Sequence, residues 1–151
     1  GEIQMSTESL NNIAFSSIAI AMIIEKSETL ELSKALLIMP FLSHRELLSY
    51  ISNGNVQIRS LDKTIIDKLH CFSNFNRRYY DNLTTSINSI QFLHEMDIIQ
   101  VDGSLILSKN SITYDRSMGE RLKKVSKASG NLSKIFSEDV SSLYLNLRIE
   151  L

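Results

Sequence analysis

Ile98-Ile99-Gln100-Val101-Asp102-Gly103-Ser104-Leu105-Ile106-Leu107 is the stretch whose reading decides the fold. Two short apolar runs lie on either side of Asp102-Gly103, and an Asp-Gly pair supplies the positive φ angles of a tight hairpin turn. The stretch therefore reads as a two-stranded ribbon. A lone ribbon is marginal in water and needs helices to pack against. The neighbouring sequence provides them.

Upstream, Thr84 or Thr85 opens a helix whose buried face is read as Ile87, Ile90, Leu93 and Met96, with Phe92 beside it. Before it, Ser60 caps a helix with Asp62 in its first turn. Apolar residues from Ile65 to Leu83 recur every three or four positions, so helix continues to about Asp81, interrupted near Ser73-Asn74. Val56-Gln57-Ile58 alternates like a very short strand, and Asn53-Gly54-Asn55 marks a turn. Ser43 caps a helix from His44 to Ile51, and the helix from Glu31 is expected to stop at Pro40. Asn11 and Asn12 cap a first helix running to about Lys26, apolar on all sides and so wrapped by other elements.

Downstream, Ser117 to Ala128 reads as an amphipathic helix with Met118, Leu122 and Val125 inward, ended by Gly130. Ser137 caps a last helix with Val140, Leu143, Tyr144 and Leu147 as its inner stripe. Helix, short strand, helix, turn, helix, hairpin is the winged-helix order, a variant of helix-turn-helix. The expected fold is mainly α: one winged-helix-like domain over residues 1–151, with a β-hairpin wing. Its core covers about 43–108, and helices from 11–42 and 115–148 pack on it.

Composition agrees with a folded domain and excludes several functions. The chain has 151 residues, 43% hydrophobic and 22% charged, with a net charge of −1, so no overall field marks it for nucleic acid. One cysteine excludes an internal disulfide and fits a reducing, cytoplasmic setting. Met5 is read as the natural start, and no basic stretch precedes the first apolar run as a signal peptide would require. That run, Ile13 to Ile24, is shorter than the ~20 residues of a membrane span. No Gly-x-x-x-x-Gly-Lys or Gly-x-Gly-x-x-Gly loop is present to cradle phosphate, and no Gly-x-Ser-x-Gly elbow. His94-Glu95 has Ile98 where a zinc-protease helix needs its second His. His70 and Cys71 are adjacent, and side chains of adjacent residues diverge by about 100° on a helix, so they read as a surface His beside a buried Cys. No catalytic residue, cofactor or metal is expected.

The helix before the hairpin is a poor DNA reader. It is read as exposing Thr84, Thr85, Ser86, Asn88, Ser89, Gln91, His94, Glu95 and Asp97, with no Lys or Arg among them. Positive charge collects later: seven basic and two acidic residues between Lys109 and Lys134 leave +5 there and −6 elsewhere. Arg77, Arg78, Arg116, Arg121, Lys123, Lys124 and Lys127 are therefore the candidate contacts to nucleic acid or to a partner.

Four stretches carry a family likeness across nearly the whole chain. They are Asn11-Asn12-Ile13-Ala14-Phe15; Ala35 through Leu42; Phe75-Asn76-Arg77-Arg78 with Thr85 through Ile99 and Asp102-Gly103-Ser104-Leu105; and Lys127 through Leu132 with Phe136 and a closing helix near Leu147-Arg148. In these the chain resembles the middle component of bacterial three-component ABC-ATPase defence systems of the Lamassu type. The resemblance implies a small accessory subunit without catalytic residues. Its partners would be an SMC- or Rad50-like ABC ATPase and an effector, in many cases a nuclease, with DNA reached through the complex and no membrane. A homodimeric winged-helix transcription regulator is the alternative, which the acid at the hairpin tip disfavours.

Overall fold

The computed structural model describes residues 7–113, 115 and 119–151, giving the backbone alone for 7–11. Among them, the chain orders as α1 (Thr7–Ser27), β1 (Thr29–Glu31), α2 (Leu32–Leu42), α3 (Arg45–Ile51), α4 (Leu61–Asp67), a 3-10 turn (Leu69–Cys71), α5 (Phe75–Glu95), β2 (Ile99–Asp102), β3 (Leu105–Ser108), α6 (Glu120–Ile135) and α7 (Val140–Asn146). The protein is mainly helical, with one small antiparallel sheet ordered β1-β3-β2.

The hairpin is present, with its turn one residue later than expected. Asp102 pairs with Leu105, so Gly103 and Ser104 form the two-residue loop. Gly103 alone takes a positive φ of 61° there, the pattern of a turn with glycine in its first central position. Thr29-Leu30-Glu31 adds a third strand, with Leu30 opposite Ile106. This strand was unforeseen, because three residues between two helices carry no readable alternation.

α1 is the central helix, packed against α2, α5 and α6. Its half from Ser16 to Ile24 is buried apart from the partly covered Ile18 and Met22, which accounts for its all-round apolar surface. It starts at Thr7, so Asn11 and Asn12 lie inside it rather than capping it. α2 passes through Pro40 to Leu42. Near the end of a helix, proline forfeits one backbone hydrogen bond and leaves little helix beyond it to disrupt. Phe41, fully buried, meets Phe72, Phe75 and Phe136 edge-on at 5.0–6.0 Å, a preferred aromatic geometry.

Two caps shift by a residue or two. His44, not Ser43, caps α3, its Nδ1 accepting from the Leu47 amide at 3.1 Å. Asp139, not Ser137, caps α7 by accepting from Ser142 N–H at 3.2 Å. Ser60 caps α4 as expected.

Three larger corrections concern continuity. α5 is one helix of 21 residues where a break at 81–84 was expected. α6 continues through Gly130 to Ile135, burying Leu132 and Ile135 beyond the expected stop. Tertiary burial outweighs the ~1 kcal/mol that an internal glycine costs. Ser117, Met118 and Arg116 of the expected helix start lie outside the described residues. Finally, residues 56–58 form no strand. Asn131 of α6 satisfies that segment instead, accepting from Ile58 N–H at 3.2 Å and donating to the carbonyls of Ile51 and Val56 at 2.9 and 3.1 Å.

Candidate partner interface

α5 faces the core differently from the expected stripe. Ile90 and Leu93 are buried, but so are Ser86 and Ser89, while Ile87, Phe92 and Met96 are 49%, 45% and 57% exposed. The reason is α1. It packs along α5 more extensively than any other element does, and the small serines on α5 allow that approach. The hydroxyls of Ser86 and Ser89, and of Ser16 and Ser17 on α1, are buried without a hydrogen-bond partner. The larger apolar side chains are thereby turned outward.

A second apolar surface borders Asn76, near the start of α5. α4 and the 3-10 turn run beside α7 and the residues after it, leaving a groove of about 900 Å³. Ile65, Ile66, Leu69, Phe72, Leu145 and Leu147 line it, with Asp62, Asn76, Arg148 and Glu150 among its polar residues. Ile66, Leu69 and Leu145 are 73%, 67% and 77% exposed. The walls are fixed from behind. Leu61 N–H donates to Glu138 Oε2 at 2.8 Å, tying α4 to the start of α7. Tyr144 O–H donates to the Ser33 carbonyl at 2.6 Å, and Glu150 N–H to Asn76 Oδ1 at 2.9 Å. Burial of Tyr144 and its contact with Tyr79 push its phenol far above the usual range, so it stays a neutral donor. Large apolar side chains clustered in a groove with a polar rim are a mark of a protein-binding surface.

The described basic candidates differ in their surroundings. Arg78 is turned inward: Nε donates to the Pro40 carbonyl at 3.1 Å, Nη2 to the Cys71 carbonyl at 2.9 Å, and the guanidinium lies 5.0 Å from the Phe75 ring. Arg121 rests 4.0 Å over the Phe15 ring. Burial lowers the pKa of both guanidinia, but they remain charged. Arg77 is exposed and faces Asp81 at 3.7 Å. Lys124 donates to Ser49 Oγ at 3.2 Å and lines a second depression with Arg45, Glu120 and Arg121. Lys123 and Lys127 are exposed. Arg116 lies outside the described residues.

Cys71 is buried and His70 exposed, as expected. What the sequence did not disclose is Glu46, brought up to both by α3.

The model for ABC-three component (ABC-3C) system Middle Component 3 matches residues 2–151. The chain belongs to this family. No curated protein and no solved structure gave a match. A middle component works with the ABC ATPase and effector components of its system. This one is mainly helical, and none of its described helices is long and apolar enough to cross a membrane.

Proposed function

We propose that this middle component is a non-catalytic subunit that bridges an SMC- or Rad50-like ABC ATPase and an effector in Lamassu-type defence against phage and plasmid DNA. The groove between α4 and α7 is the seat of one of these contacts. The carrying observation is the exposure of Ile66, Leu69 and Leu145 together in that groove. Each such side chain gains roughly 1.5–3 kcal/mol when a partner covers it. Absence of a phosphate-cradling loop from the sequence leaves ATP to the ATPase component. The α3-α4-α5-β2-β3 succession supports kinship with winged-helix proteins. Its last helix has no Lys or Arg beyond Arg78, and exposes Ile87 and Phe92. That surface suits protein better than phosphate, which disfavours the transcription-regulator alternative.

The reading is tested by co-expressing the chain with its ATPase and effector and weighing the assembly by native mass spectrometry. A complex with a fixed ratio of this chain is expected. Ile66→Glu and Leu145→Glu, both at exposed positions, should remove one component while the circular dichroism melt stays unchanged. A wild-type chain that remains alone, or a complex that both variants leave intact, overturns the proposal.

A further inference from the structure

Glu46, His70 and Cys71 bring three different donor atoms together, two from exposed side chains and one from a buried thiol. His70 Nε2 and Glu46 Oε2 are 2.6 Å apart, Cys71 Sγ is 3.8 Å from that same carboxylate oxygen, and Sγ is 3.7 Å from Nε2. Cys71 and His70 come from the 3-10 turn, Glu46 from the first turn of α3. Neighbouring residues of a 3-10 turn diverge by about 120°, yet Cys71 Sγ and His70 Nε2 still approach, because the imidazole carries Nε2 well away from its own backbone.

We propose that Glu46, His70 and Cys71 form a binding site for a zinc-class divalent cation, which clamps α3 to the 3-10 turn. Zinc takes sulfur at about 2.3 Å and nitrogen or carboxylate oxygen at about 2.0–2.2 Å. Tetrahedral placement at those bond lengths sets the donors roughly 3.3–3.6 Å apart. The two separations to Sγ are close to this already. The third requires Nε2 and Oε2 to part by roughly 0.7 Å, which breaks their mutual contact and replaces it with two bonds to the metal. Both side chains are free to make that move, being 62% and 52% exposed. A mixed S, N, O set selects a borderline-soft cation over Mg²⁺ or Ca²⁺, which call for oxygen alone. Three protein ligands leave a fourth position for water on the exposed side.

Charge and protons balance simply. The Cys71 S–H bond breaks, its proton goes to solvent and the thiolate binds the cation; His70 offers the Nε2 lone pair and keeps its proton on Nδ1. Thiolate and carboxylate together neutralise the +2 charge. Because the thiol must lose its proton to bind, metal uptake strengthens as pH rises and releases protons.

Cys71 is the only cysteine in the chain, so any thiolate-to-metal transition reports on this site alone. Titration of the purified full chain with Co²⁺ should produce a thiolate-to-cobalt charge-transfer band saturating at one equivalent, which Zn²⁺ then bleaches. Cys71→Ser should abolish the band. His70→Ala and Glu46→Gln, at exposed positions that leave the apo melt unchanged, should weaken binding by ~tenfold or more. Zn²⁺ should raise the melting temperature of the wild type and not of Cys71→Ser. No band at saturating Co²⁺ overturns the proposal, as does a band whose affinity neither His70→Ala nor Glu46→Gln alters, since that is a lone thiol binding cobalt.

Discussion

His44 caps α3 only while its imidazole is neutral, because a protonated Nδ1 cannot accept from Leu47 N–H. Burial, and next the Arg78 charge, lower its pKa in the folded protein. Protons therefore bind the unfolded chain more readily. The cap's stability is fully present above the unfolded histidine value of about 6.5 and is lost as pH falls from there through the lower folded value. Urea unfolding across about pH 5–8 should show this loss for the wild type, and a smaller one for His44→Asn, which caps without titrating. An equal pH slope in His44→Asn would contradict the assignment. Arg77 and Arg78 make a sharper contrast. Arg78→Ala strands two carbonyls and should cost about 2 kcal/mol, while Arg77→Ala should cost under about 0.5 kcal/mol. Chemical denaturation of the two variants decides it. The sequence places these arginines side by side with equal claims. Only the folded positions of the Pro40 carbonyl, 38 residues away in sequence, and of the Cys71 carbonyl in the turn before α5 separate their roles.

At the scale of elements, the period of the apolar residues located most helices but not their ends or faces. α1 and α5 turn at Glu28 and Asp97, whose φ values are 65° and 63°. Glycine usually signals such a turn, and here none does, so the strand after α1 went unseen. The α5 face was misread because apolar residues were assumed to point inward, whereas close contact with α1 selects small ones. The four buried serine hydroxyls without partners on this helix pair carry a desolvation cost. Ser86→Ala and Ser89→Ala should accordingly be neutral or stabilising by up to about 1 kcal/mol, and Ser89→Leu destabilising by about 1–3 kcal/mol. Matched thermal melts check both signs. Asn131 is the opposite case, a polar residue whose three bonds replace a strand that local alternation suggested. Asn131→Ala should cost about 2–3 kcal/mol in urea unfolding.

For the whole molecule, one core runs from α1 through the sheet to Leu147 and leaves two apolar surfaces uncovered, the outer face of α5 and the α4–α7 groove. The groove was not legible in sequence. Ile66 and Leu145 stand 79 positions apart, and each taken alone reads as an ordinary amphipathic residue. The Glu46, His70 and Cys71 cluster was hidden for the same reason, since α3 and the 3-10 turn meet only in the folded chain. By contrast, the role as a middle component was legible, because it rests on a pattern spread along the chain rather than on one site. Changing Lys123, Lys124 and Lys127 together to Glu should leave the melting temperature within a few degrees of wild type, as only Lys124 has a side-chain partner among the described contacts and that one is an exposed serine. The most direct test of the central claim is hydrogen–deuterium exchange of the chain alone and in its assembled complex. Protection gained across residues 61–72 and 140–150 is the result expected of an occupied groove. Unchanged exchange in both segments, with protection confined elsewhere, would contradict it.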